Sequence, residues 1–160
     1  MKKELVITEK NAKFFYEMAS DELKKELENS FGKAFFESDI TDSVKSLKDA
    51  FKVTGRPETP SFSDVPEDLR PFFQATYNVV VINEALNEGF RGNIYNEDES
   101  RYYPWFRPSG SPGSFRFGGA SYESSNADAG AGSRLCLKNY DIACYVGKQF
   151  TEEYRKMLES

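Results

Sequence analysis

Residues 101–125, RYYPWFRPSGSPGSFRFGGASYESS, place seven aromatic rings and three arginines within one stretch rich in Gly, Ser and Pro. Arg101, Arg107 and Arg116, with Arg134 further on, carry planar cations suited to gripping phosphate or carboxylate. Trp105 and Tyr122 offer flat faces for stacking on a base or a sugar. These six residues are therefore the candidate ligand-binding set. A structural reading competes with it: Trp105, Phe106, Phe115 and Phe117 are also the rings that would fill the gap between a small sheet and two long helices. On that view the arginines pair with acids such as Glu84, Asp128 or Asp141. Most of the rings are expected inside, because a chain short of aliphatic side chains needs their area for its core.

Other chemistries are narrowed by what the chain lacks. It contains no histidine, which removes Ser-His and Cys-His nucleophile pairs, His-ligated zinc and an imidazole switch. Cys136 and Cys144 are too few for a disulfide framework and read as small buried hydrophobes. Residues 96–100, NEDES, have the composition of a calcium loop without its turn glycine or its distal glutamate, so they read as a solvated acidic loop. No metal and no cofactor is expected. Gly130 and Gly132 in GAGSRL lead into an apparent strand, and the third glycine of a dinucleotide-binding turn is missing. Without a GxSxG elbow, Ser114, Ser121 and Ser133 read as ordinary turn and strand serines. A carboxylate-dependent hydrolase remains a third reading, resting on Glu84, Glu88, Glu123 or Asp128 being brought face to face by the fold.

The bulk composition describes the object that must position these groups. A chain of 160 residues, 39% hydrophobic and 15% aromatic, has the size of one ordinary folded domain. With 21 basic against 26 acidic residues and a net charge of −5, general affinity for nucleic acid is not expected. There is no apolar run of about twenty residues, and MKKELVITEK has no apolar run of signal-peptide length. A soluble, cytoplasmic protein is the expectation.

Local signals predict helices through the N-terminal half. Thr8 caps EKNAKFFYEMA and Ser20 caps DELKKELENSF, with Gly32 as the stop. Phe14, Phe15, Met18, Leu23, Leu27 and Phe31 are spaced to form one buried side of this αα unit, residues 1–35. A third helix starts near Thr41 and runs to Gly55. After the connector GRPETPSFSD, Pro66 suits a first turn, and Pro71 divides that turn from a long helix ending before Gly89. On this central helix Phe73, Tyr77, Val80, Val81, Glu84 and Ala85 fall near one face, widened by Val79 and Ile82. Then the grammar changes. SFRFGGASYESS reads as hairpin-forming with a turn at Gly118-Gly119, SRLCLK reads as a second strand, and NADAGAG as a flexible loop. Asn139 caps a last helix, YDIACYVGKQFTEEYRKMLES, in which Gly147 suggests close approach to another backbone.

ALNEG at 85–89, YYPWF at 102–106, the Phe- and Gly-rich stretch 115–119, GSRLCLK at 132–138 and GKQF at 147–150 together resemble a family of short proteins encoded by Bacteroidetes and their phages and prophages. The resemblance covers residues 40–160, with Leu137 and Val146 standing where the family pattern has Phe and Ala. It implies a phage-linked setting with no assigned activity or catalytic residues. The closing strands of C-type-lectin-like domains are similar at a handful of positions, but a long helix follows here where such domains finish their sheet.

The expected architecture is α+β, with residues 36–160 as the core. Helices run through residue 88, a small antiparallel sheet spans 101–138, and a long C-terminal helix packs on the central one. The leading functional expectation is a non-enzymatic structural or interaction protein of a phage or prophage. Its partner would be another phage-encoded or virion protein, and it would sit in the host cytoplasm or in the virion, away from membranes. The alternative is a binding module for a sugar, a nucleotide or single-stranded nucleic acid. The oligomeric state is left open.

Overall fold

The structure, a computed structural model, describes residues 7–160. The reading of residues 1–6 lies outside them. The described residues form eight α-helices and one two-stranded antiparallel sheet, an α+β architecture with a helical N-terminal half and C-terminal helices.

Helices α1 (Glu9–Met18) and α2 (Asp21–Phe31) start where their caps predict. The Thr8 N–H donates to Asn11 Oδ1 at 2.9 Å, and Ser20 Oγ accepts from the Leu23 N–H at 3.4 Å. The expected buried side of the pair is only partly realised, because Met18 and Leu23 are exposed. A short helix α3 (Lys33–Glu37) supplies the missing apolar partners: Tyr16 stacks on Phe36 at 4.2 Å and Phe31 on Phe35 at 5.6 Å.

The single helix expected from Thr41 to Gly55 is two, α4 (Ile40–Ser43) and α5 (Leu47–Thr54). Ser46 interrupts it by capping α5 in a reciprocal pair with Asp49: the Ser46 N–H donates to Asp49 Oδ2 at 2.9 Å and the Asp49 N–H to Ser46 Oγ at 3.3 Å. The break sends Val44 into the core, where it is fully buried. A single 3-10 turn at Glu67–Leu69 then leads into α6 (Arg70–Leu86). The buried stripe of α6 keeps Val79, Val81, Ile82 and Ala85 of the expected band and adds Ala75, Asn83 and Leu86, while Phe73 is exposed and packs at the rim against Phe62 and Phe72.

Strands β1 (Arg101–Arg107) and β2 (Arg116–Glu123) pair antiparallel, running from Arg101 opposite Glu123 to Arg107 opposite Arg116. SRLCLK is not a strand. The Leu135 and Cys136 N–H groups turn back onto the Gly132 carbonyl, and only Leu137 bridges to Tyr102, at 2.7 and 3.1 Å. The reason lies on α6 and its C-cap: Asn83 and Asn87 donate their side-chain amides to the carbonyls of Leu135 and Cys136 at 2.9 Å each, and Lys138 N–H donates to Asn87 Oδ1 at 3.0 Å. Side chains of a helix thus satisfy the backbone that a sheet ladder would otherwise occupy. NADAGAG carries a 3-10 turn at Ala129–Ala131, capped by Asp128.

The expected long C-terminal helix is also divided, into α7 (Tyr140–Gln149) and α8 (Thr151–Glu159). Asn139 caps α7 as predicted, accepting from the Ile142 N–H at 2.8 Å. At the junction Phe150 turns inward, and Thr151 Oγ1 donates to the Gly147 carbonyl at 2.6 Å, competing with the helical backbone bond. The core lies where α5, α6, α7 and α8 meet one face of the hairpin, around Val79, Ile82, Leu86, Leu137, Val146 and Tyr154.

Candidate functional site

The alternation of β1 sorts its side chains onto two faces. Tyr102, Pro104 and Phe106 point at the helices, and Tyr103, Trp105 and Arg107 point away. On the helix side, Phe106 stacks on Phe115 at 5.0 Å and meets Tyr154 at 5.3 Å. Gly147 of α7 sits against Pro104 and Phe117: a Cβ there would lie 2.9 Å from the Pro104 Cβ and collide with the Phe117 ring. The close approach at Gly147 is therefore to side chains of the hairpin rather than to another backbone. Phe106, Phe115 and Phe117 fill the space between sheet and helices, as the structural reading expects.

Trp105 does not join them. Its indole lies across Gly118 and Gly119 on the outer face, close enough that a Cβ on Gly119 would stand 2.9 Å from Nε1. The register slips at this point, leaving Gly118 as the extra residue of a β-bulge. The Gly118-Gly119 pair is thus no turn but a bare shelf inside β2; the chain reverses at 108–115 instead. The indole remains 38% exposed, and the Arg107 guanidinium lies over it, 5.3 Å from the ring centroid.

Arg116 stands directly opposite Arg107, on the same face. Like charges directly opposite one another are destabilising, and among the described residues neither arginine has an acid partner. Lys148 of α7 lies on the other, helix-facing side, over the Phe117 ring at 5.8 Å. No Asp or Glu occurs between Glu99 and Glu123, in a chain carrying 26 acids.

The other three candidates lie elsewhere. Arg101 is buried, with 1% of its surface exposed. Its Nη1 donates to the carbonyls of Asn93, Asn96 and Glu99 at 3.2–3.4 Å, and its Nη2 to those of Ser124 and Asn126 at 2.8 Å each. It ties the loops at the base of the hairpin and offers nothing to a ligand. Tyr122 is exposed but shares the helix-facing side with Tyr102, ring centroids 5.6 Å apart. Arg134 lines a separate cleft of about 180 Å³ with Arg91, Glu84 and Phe90. The outer face therefore keeps Trp105, Arg107 and Arg116. None of the arginines takes the acid partner expected of it.

A second feature had no marker in the residue pattern beyond the consecutive Glu88-Gly89. Glu88 has φ +48°, uncommon for a side-chain-bearing residue. That turn places its carboxylate between two lysines, 2.8 Å from Lys13 of α1 and 2.6 Å from Lys138, joining the N-terminal helices to the core. A cleft of about 450 Å³ opens beside it, lined also by Tyr16, Asp39, Asp141 and Tyr145.

Three of the four acids named for hydrolysis are occupied, and Glu123, on the outer face of β2, is not brought opposite any of them. Glu84 takes a two-point bond from Arg56 at 3.0 and 3.2 Å, Glu88 holds the lysines, and Asp128 caps its turn. The carboxyls whose pKa is displaced, Asp39, Asp49 and Glu152, are displaced downward. The causes are the Thr41 N–H, the Ser46 hydroxyl and the Arg155 guanidinium respectively.

No family model, curated protein or solved structure matches this chain. No helix among the described residues is long and apolar enough to cross a membrane.

Proposed function

We propose that this chain is a non-enzymatic interaction protein that holds a protein partner on the outer face of its hairpin, in the phage or prophage setting its resemblance implies. The observation carrying this reading is the exposed Trp105 indole laid on the Gly118-Gly119 shelf beside Arg107 and Arg116, neither of which has an acid partner among the described residues. Trp and Arg on a preorganised, rigid surface are the residue types that dominate binding energy at protein interfaces. The charge asks for an acidic patch on the partner.

The test is gradient fractionation of a lysate of the source cells after phage induction, following native protein and the Trp105→Ala and Arg107→Ala variants. Co-sedimentation of the native chain with particles or a partner complex, lost in both variants, supports the proposal. Native protein that stays at the top of the gradient while particles are abundant removes the virion component of the reading.

The unpaired Arg107 and Arg116 also favour a second reading, an anionic ligand such as a nucleotide or single-stranded nucleic acid stacked beside the indole. Trp105 is the one tryptophan of the chain, so its fluorescence reports on this face alone. Quenching that saturates with an oligonucleotide and weakens with added salt would select this reading over a protein partner.

A further inference from the structure

The free edge of β2 carries a pattern that the hairpin itself does not use. Within the sheet, β2 has β1 as its single neighbour. Among the described residues the backbone of 116–123 makes no hydrogen bond other than those to β1. The outer edge of β1 is closed, by the Leu137 bridge at Tyr102 and by Pro104, which has no N–H to offer. The edge of β2 has neither a proline nor a lysine, the residues that ordinarily guard such an edge.

RFGGASYE, read antiparallel against itself, is complementary. Arg116 meets Glu123, Phe117 meets Tyr122, the small residues Gly118 and Gly119 meet Ser121, and Ala120 meets its own copy. Whether such a pairing works depends on the faces. A two-fold axis perpendicular to a sheet keeps each face on its own side, so residues that meet must point the same way. In a regular strand two residues seven apart, as 116 and 123 are, point to opposite faces. The bulge removes this conflict: with Gly118 as the extra residue, Arg116, Gly119, Ser121 and Glu123 all take the outer face. Phe117, Ala120 and Tyr122 take the helix-facing one. Every pair named above then matches face to face.

We propose that β2 binds β2 of a second copy of this chain along this edge. The result is a four-stranded antiparallel sheet in the order β1-β2-β2-β1, with Ala120 on the two-fold axis. Two Arg116–Glu123 ion pairs and two Phe117–Tyr122 contacts close the junction, and both Trp105 faces come to lie on one side of the enlarged sheet. The pairing engages Arg116 at the junction and leaves Trp105 and Arg107 to whatever the outer face binds.

Sedimentation equilibrium of the full chain tests it. The native protein is expected at twice its 18.2 kDa mass at high concentration. Arg116→Glu places acid against acid across the junction and Glu123→Arg places base against base. Each alone is expected to raise the dissociation constant about tenfold or more. An equimolar mixture of the two single variants restores opposite charges at both ends and is expected to dimerise, as is the double variant. The mixture also serves as the folding control, because chains that had lost the hairpin could not recover the dimer. A native chain that is monomeric at every concentration, a dimer that survives either single variant unchanged, or a mixture that stays monomeric overturns the proposal.

Discussion

Tyr154 of α8 donates its hydroxyl hydrogen to Oδ1 of Asn83 in α6 at 2.8 Å, with both residues buried. The orientation of the amide follows from its other end, since Nδ2 is committed to the Leu135 carbonyl. One asparagine therefore joins the last helix, the central helix and the segment after the hairpin. Tyr154→Phe keeps the ring against Phe106 but leaves a buried acceptor without its donor, and is expected to cost about 1–3 kcal/mol in urea unfolding. Burial pushes the Tyr154 phenol up, so the unfolded chain ionises first. The native protein should lose this contribution as pH rises beyond the ordinary tyrosine range, and the Phe variant should lack that part of the slope.

Gly147 tests which of two opposed effects wins. Replacing a glycine inside a helix by alanine ordinarily gains up to about 1 kcal/mol. Here the new methyl would strike Phe117 and stand 2.9 Å from the Pro104 Cβ, and overpacking of this kind costs about 1–3 kcal/mol. Gly147→Ala is therefore expected to lower the melting temperature. An increase would show that the hairpin is free to lift from α7.

Arg101 is expected to tolerate no substitution, including the one that keeps its charge. Five carbonyls converge on two guanidinium nitrogens, and a lysine ammonium cannot reach both loops with its three tetrahedral hydrogens. Arg101→Lys and Arg101→Met should each cost about 3 kcal/mol or more. In the methionine variant, hydrogen exchange should rise first in 93–99 and 124–126. Protection unchanged in those segments would count against the clamp.

The downward-shifted carboxyls contribute to the acid limb of stability. Asp39, Asp49 and Glu152 hold their protons more weakly in the folded chain than in the unfolded one. Their contribution is present above the unfolded values of about 4 and is lost as pH falls through the lower folded ones. Urea midpoints measured downward from about pH 5 should fall, and Asp49→Asn should flatten the fall while lowering the plateau, because it also removes the cap of α5.

Helix starts were legible because capping is local: Thr8, Ser20 and Asn139 each act on backbone within three residues of themselves. The misreadings have distant causes. SRLCLK alternates as a strand does, but Asn83 and Asn87, about fifty positions earlier, take its carbonyls. Gly118-Gly119 has the composition of a turn, and what makes it a shelf is an indole from the other strand. Of the candidate site, Trp105, Arg107 and Arg116 were legible by residue type among the six candidates, and their common face follows from the β1–β2 register. Arg101 has the same residue type and belongs to the same strand, and its removal from the group is decided by where two loops fold back over it.

The acid-free run from 100 to 122 has a consequence at a distance. Its three arginines leave 18 basic against 26 acidic residues in the rest of the chain, so the hairpin run and the remainder carry net charges of opposite sign. An approaching anionic surface exerts a torque on such a molecule before any atoms touch, turning the hairpin forward and the helical body away. The range of that torque is the Debye length, about 10 Å at 0.1 M salt. Within that distance encounters are oriented rather than random, and the searching time for the Trp105 face shortens accordingly.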